Sequence, residues 1–228
     1  MIVNIFVFLF FWALTFMPAL AIWSAESIPV KLRAVMVIAT LFILCLAVIA
    51  GFIKKLEMTY NEIGVRFPHK ADLKQNVFLI FSGTITCLVW FWIYLGAFKI
   101  LLPVEYARID ALKTTGYLQF LSEWGRVGGL CGTSALWGGM LLLVTTEELV
   151  FRGIIFNYLK REYSFKEALA WSASLFTLAH LNPHNFPVSF VLGLIFVLLY
   201  VKSGGLAVPI SVHFAYNLFL IYFGKYMH

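Results

Sequence analysis

Long apolar runs alternate with short polar ones along most of this chain. Met1–Trp23, Ala34–Ile53 and Val77–Leu102 are apolar blocks, and each is near the 20 or so residues that a membrane-crossing helix needs. The first ends in Ala19-Leu20-Ala21, the small-residue pattern of a signal-peptidase site. It has no positive n-region and its apolar run is long for a signal peptide, so an uncleaved helix is expected. A fourth run starts near Ser134 and continues without a strong breaker to about Arg161, with Gly153 as its weak point. Ala168–Leu181, Val188–Val201 and Leu206–Phe223 complete the series. The polar link Asn182–Pro187 separates two of these shorter blocks. The pattern predicts an all-α, polytopic transmembrane bundle of seven helices, or eight if the fourth is broken.

The rest of the pattern refines this expectation. Between Pro103 and Gly132 the stretch Tyr106–Trp124 mixes charges with Leu, Tyr, Phe and Trp, as a helix lying in the headgroup plane does. Gly128, Gly129, Gly132, Gly138 and Gly139 cluster at the entry to the fourth helix, where small residues allow close packing or a hinge. No internal repeat, low-complexity tract or soluble domain is visible. A single integral membrane domain over 1–228 is expected, with N-terminal helices and loops in 1–133 and a motif-bearing core in 134–223.

Composition makes the membrane reading firmer. Hydrophobic residues are 62% of the chain and charged ones 12%, against roughly 45–50% and 25% in soluble domains. The net charge of +6 is spread over several loops. That fits anionic headgroups rather than nucleic acid, which calls for a concentrated basic stripe. Cys45, Cys87 and Cys131 have neither a disulfide framework nor zinc-ligand spacing, and read as reduced small hydrophobes. With alternating spans, the side shared by the N-terminus, the Lys54–Asn76 loop, Lys160–Lys166 and Lys202 carries nine Lys or Arg against seven. The excess favours that side as cytoplasmic.

Candidate chemistry lies where polar residues interrupt apolar runs. The fourth run contains Thr145-Thr146-Glu147-Glu148-Leu149-Val150-Phe151-Arg152. A charge at mid-helix costs about 2.5–3.5 kcal/mol on insertion scales, so such residues turn inward, pair and mark function. Glu148 and Arg152 are four apart and can pair on one helix face. Glu147 points about 100° away, off that shared face. A carboxyl so placed in a poorly solvated cavity suits a general base or acid. A buried ion-pair network is the bland alternative for all three. His180 ends its block one turn after Phe176, and His213 precedes Asn217 by one turn in the last block. Alone, His180 reads as a headgroup residue, and His213 with Asn217 as interhelical glue. Asn182, His184 and Asn185 read as loop or cavity rim. Convergence of the three polar sets would enclose a wet site able to activate water and hold an oxyanion.

Glu147-Glu148-x-x-x-Arg152, Phe176-x-x-x-His180 and His213-x-x-x-Asn217 resemble, in order and placement, the signature motifs of the CAAX prenyl endopeptidase and bacteriocin-processing family of intramembrane glutamic proteases. Gly153 also fits. The resemblance covers about 134–223 and implies an internal polar catalytic cavity. Glu147 and His180 would activate water, and His213 and Asn217 would hold the oxyanion. Glu148 and Arg152 would hold the site together, Glu148 with a share in catalysis, and Phe176 would support it. The family implies no metal or other cofactor. Carboxylates and histidines in this set could otherwise bind zinc, although no His-Glu-x-x-His helix is present. The expected partners are the lipid bilayer and a membrane-anchored protein or peptide cut near its C-terminus, with no nucleic acid. The expected location is a prokaryotic inner or plasma membrane. Two other readings stand beside this one: a non-catalytic immunity or binding protein, and a proton-coupled transporter, for which no inverted repeat is visible.

Overall fold

The structure is a computed structural model that describes residues 29–65, 72–107, 129–180 and 183–223, with positions 5, 22 and 27. All regular structure among these residues is helical. The elements are α1 (Val30–Lys55), α2 (Leu73–Leu101), α3 (Gly129–Glu148), α4 (Phe165–Ala179), α5 (Phe186–Ser203) and α6 (Ala207–Phe223). The Met1–Trp23 block lies outside the described residues apart from Ile5 and Ile22, as does Tyr106–Trp124 beyond residue 107.

The chain forms two compact units, one of 1–59 with 120–147 and one of 60–119 with 148–228. In the first, α1 exposes Phe42, Ile43 and Leu46 while Cys45 and Ile49 are buried. The second unit holds α2 and everything after α3, and is where most of the motif residues lie.

The fourth run is continuous but not uniformly α-helical. After Glu148 it passes into a π-helix, Leu149–Phe156, and ends in the short turn Asn157–Leu159. The eighth helix expected from a break therefore does not form. A π-turn is wider than an α-turn, its hydrogen bonds spanning five residues rather than four. The Asn182–Pro187 link is also shorter than its composition predicts. Pro183–Asn185 form a 3-10 turn, and Pro187 is already in the first turn of α5, where its missing N–H costs nothing.

Local signals account for the other ends. Ser164 and Glu167 form a capping box at the start of α4, each side chain satisfying a backbone N–H of the other. α5 ends on Gly204, whose φ of 69° suits a residue without a Cβ.

Within the second unit α2, α5 and α6 pack together, and α4 packs on α5 and on the π-helix. The buried face of α2 is Asn76, Leu79, Gly83 and Cys87, a stripe at helical spacing. A Cβ on Gly83 would stand 2.9 Å from Leu199 Cδ1 and 3.2 Å from Val212 Cγ2. One on Gly193 would stand 3.0 Å from Ala173 Cα. Close helix packing at small residues thus occurs at Gly83 and Gly193. At Gly138 a Cβ would meet nothing within 4 Å.

The opposite face of α2 exposes Val77, Phe78, Phe81, Ile85, Val89, Trp92 and Ile93. A soluble protein rarely leaves so long an apolar stripe uncovered. Among the described residues, Leu73–Leu101 and the run Pro183–Ser203 are long and apolar enough to cross a membrane, and α6 is a shorter apolar helix. At 29 residues, α2 is about 43 Å long, more than the 30 Å of a hydrocarbon core. These helices fit membrane residence.

Candidate active site

The centre of the second unit is an ion pair inside an aromatic cage. Glu148 and Arg152 are both fully buried, and Arg152 Nη1 donates to Glu148 Oε1 at 3.0 Å. The spacing of four that predicts this pair still brings the two side chains together in the widened helix. Arg152 Nη2 donates to the Gly193 carbonyl of α5 at 3.3 Å. The guanidinium lies 4.3 Å from the centroid of Phe176 and 5.0 Å from that of Phe196. Ring faces thus stand where water would stand around an exposed arginine.

α6 brings His213 to the same carboxylate. Its Nδ1–H donates to Glu148 Oε1 at 2.8 Å, and the ring is only 5% exposed. The imidazole stacks on Phe196, with centroids 4.7 Å apart and planes 24° apart. One hydrogen bond and one stacked ring therefore orient it. The Nδ1 bond to the carboxylate fixes which ring nitrogen faces Glu148.

Phe176 links this cluster to His180. The two rings meet edge to face at 4.6 Å, and Phe176 contacts His213 at 6.0 Å. His180 caps the C-terminus of α4, its Nδ1 2.8 Å from the Phe176 carbonyl. It is exposed, unlike His213. Asn217 is half-buried one turn beyond His213. Glu147 is half-buried near the end of α3 and belongs to the first compact unit. The structure thus brings together Glu148, Arg152, Phe176, His213 and His180, with Asn217 on the same helix as His213.

Three contributors escape sequence reasoning. Gly193 offers a backbone carbonyl, Phe196 supports both the guanidinium and the imidazole, and Ser172 Oγ donates to the Phe151 carbonyl of the π-helix at 2.9 Å. Phe196 and Gly193 sit in an unbroken apolar run, where nothing distinguishes them from lipid-facing residues. Among the described residues no three His, Cys, Asp or Glu gather as a set of metal ligands.

Three helices thus place a carboxylate, a guanidinium and an imidazole in contact inside an apolar helical unit. Residues 129–219 match the family model described as Type II CAAX prenyl endopeptidase Rce1-like. Over these residues the chain is similar to the CAAX protease family. A curated relative is the membrane-embedded CAAX protease MroQ of Staphylococcus aureus (strain USA300), 41% identical over 83 residues. That alignment covers 34% of this chain and 34% of the relative. No solved structure matches.

Proposed function

We propose that this protein is a multi-pass membrane endopeptidase that hydrolyses a peptide bond of a membrane-anchored protein or peptide, near the C-terminus of its substrate. The observation that carries the reading is the Glu148–His213 contact, in a region that matches a protease family. A buried imidazole fixed through one nitrogen is prepared to donate or accept through the other. In this reading Glu147 and His180 deprotonate the attacking water, and His213 Nε2 and the Asn217 amide donate to the oxyanion of the tetrahedral intermediate. Donors of that kind contribute about 10²–10³ in rate each. Arg152 holds Glu148, and Glu148 holds His213. The mechanism is glutamic and needs no metal or other cofactor. The site opens into the bundle, and the protein resides in a prokaryotic inner or plasma membrane.

Purified protein in detergent, mixed with a membrane-tethered peptide library, tests this by mass spectrometry of the products. Cleavage that survives a chelator and disappears in Glu147→Ala and in His180→Ala is the expected result. Cleavage abolished by the chelator would replace the glutamic mechanism with a metal-dependent one. A folded wild type that cuts nothing, including peptides from its own membrane, would favour a non-catalytic binding or immunity role on the same scaffold.

A further inference from the structure

The π-helix that carries Arg152 is held by a second set of polar contacts at its far end. Asn157 Nδ2 lies 3.1 Å from the Arg152 carbonyl and 2.9 Å from the Gly153 carbonyl, which share one of the amide's two hydrogens. The same amide donates to the Tyr200 hydroxyl of α5 at 2.7 Å. Tyr200 in turn donates to the Glu62 carbonyl at 3.1 Å. A hydrogen-bonded chain therefore runs from the loop before α2, through α5, to the backbone of the residue that pairs with Glu148.

The loop containing Glu62 is fitted to this arrangement. Ile63 is fully buried, and a Cβ on Gly153 would stand 2.9 Å from the Ile63 carbonyl. Gly64 has a φ of 76°, and a Cβ there would stand 2.5 Å from Tyr200 Cε2. The Gly64 carbonyl accepts from Leu206 N at 3.2 Å, and Arg161 pairs with Glu62 at 3.4 Å. Both glycines are needed because backbone lies against backbone at one and against a ring at the other. Widened turns of this kind are otherwise costly and occur mostly at functional sites.

We propose that Asn157 and Tyr200 are positioning residues for the catalytic cluster. By bonding the Arg152 and Gly153 carbonyls, Asn157, itself anchored on the Tyr200 hydroxyl, holds the π-helical register, and that register sets where Arg152 presents Glu148 to His213. Loop 60–65 closes the latch. The catalytic part of this proposal rests on the peptidase reading; the mechanical part does not.

The test uses the full chain in detergent micelles, as wild type, Asn157→Asp, Tyr200→Phe and the double variant. Asn157→Asp replaces the amide donor with a carboxyl of the same shape, and Tyr200→Phe removes the hydroxyl that accepts from Asn157 and donates to Glu62. Amide hydrogen exchange is read by mass spectrometry, together with kcat and KM on any peptide the wild type cuts. Exchange within Leu149–Phe156 is expected to rise about tenfold in each single variant, the worth of one buried hydrogen bond. Exchange in α6 is expected to stay at the wild-type rate. kcat should fall about tenfold or more with KM unchanged. Unaltered exchange in the π-helix would overturn the latch. An equal rise in every helix would reduce the two residues to general fold stabilisers. Faster π-helix exchange with unchanged kcat would break the link to catalysis. A wild type that cuts nothing counts against the peptidase reading alone, and exchange then decides the latch by itself.

Discussion

Replacing Arg152 with methionine isolates what the buried ion pair does for folding. Methionine keeps an unbranched chain of similar length in the cage of Phe176 and Phe196, but leaves the Glu148 carboxylate without its 3.0 Å partner. Removing one member of a buried pair costs about 3–5 kcal/mol, because the remaining charge is desolvated without compensation. Lost guanidinium contacts with two rings, about 0.5–2 kcal/mol for a desolvated pair, fall inside that range rather than adding to it. His213 still donates to Glu148 at 2.8 Å, which favours the lower half. A loss of about 3–4 kcal/mol is expected, some two to three decades in the folding equilibrium. The double variant Glu148→Gln with Arg152→Met buries no uncompensated charge, and should regain at least half of the loss. An SDS titration in mixed micelles, followed by circular dichroism, measures both. Arg152→Met within about 1 kcal/mol of wild type, or a double variant no better than the single, would refute the argument.

Other outcomes follow from the same contacts. Gly193→Ala places a methyl 3.0 Å from Ala173 Cα, a backbone atom that cannot swing aside. It should cost about 1–3 kcal/mol in the same titration, as overpacked cores do. His213→Ala should lower kcat by about 10²–10³ if His213 is an oxyanion donor, with KM little changed. Two hydrogen bonds from Ser164, through its hydroxyl and its backbone N–H, hold the Glu167 carboxyl below its ordinary value of 4.5. A depressed carboxyl stabilises the fold in full above the unfolded value, and that contribution is lost as pH falls through the folded one. The Tm gap between wild type and Glu167→Gln should therefore be open at pH 7 and close steadily as the pH drops below about 4.5. A gap that is constant down to pH 3 would sink this account.

The helices were legible in the sequence because lipid and core both demand apolar side chains in blocks. α2, α5 and α6 lie within a few residues of the blocks that predict them. The Glu148–Arg152 pair was legible from its spacing of four. The change from α to π at Leu149 was not. One additional residue in a turn leaves no mark in hydropathy, and the side chain that satisfies the widened backbone, Asn157, looks like an ordinary polar residue at a helix end. Phe196 was hidden for a different reason. In water a buried aromatic stands out against polar neighbours; here every neighbour is apolar, so a ring that cages a guanidinium reads like one that faces lipid. Pro187 misled in the opposite direction, since proline marks a helix start as well as a loop.

The burial of so much charge is best understood as an order of dependence. Glu148 Oε1 receives both Arg152 and His213, so one oxygen atom is the hub on which two cationic or dipolar groups are set. Arg152 is fixed independently of it, by the Gly193 carbonyl and by two ring faces. His213 is held by the hub and by the rings of Phe196 and Phe176. Disturbance therefore passes from Arg152 to Glu148 to His213 more readily than the reverse. The π-helix sits at the head of that sequence, since it carries Arg152 directly. A small change in its register moves the guanidinium, then the carboxylate, and last the imidazole. A rigid backbone at the end remote from the histidines is thus a condition for geometry at the histidines themselves.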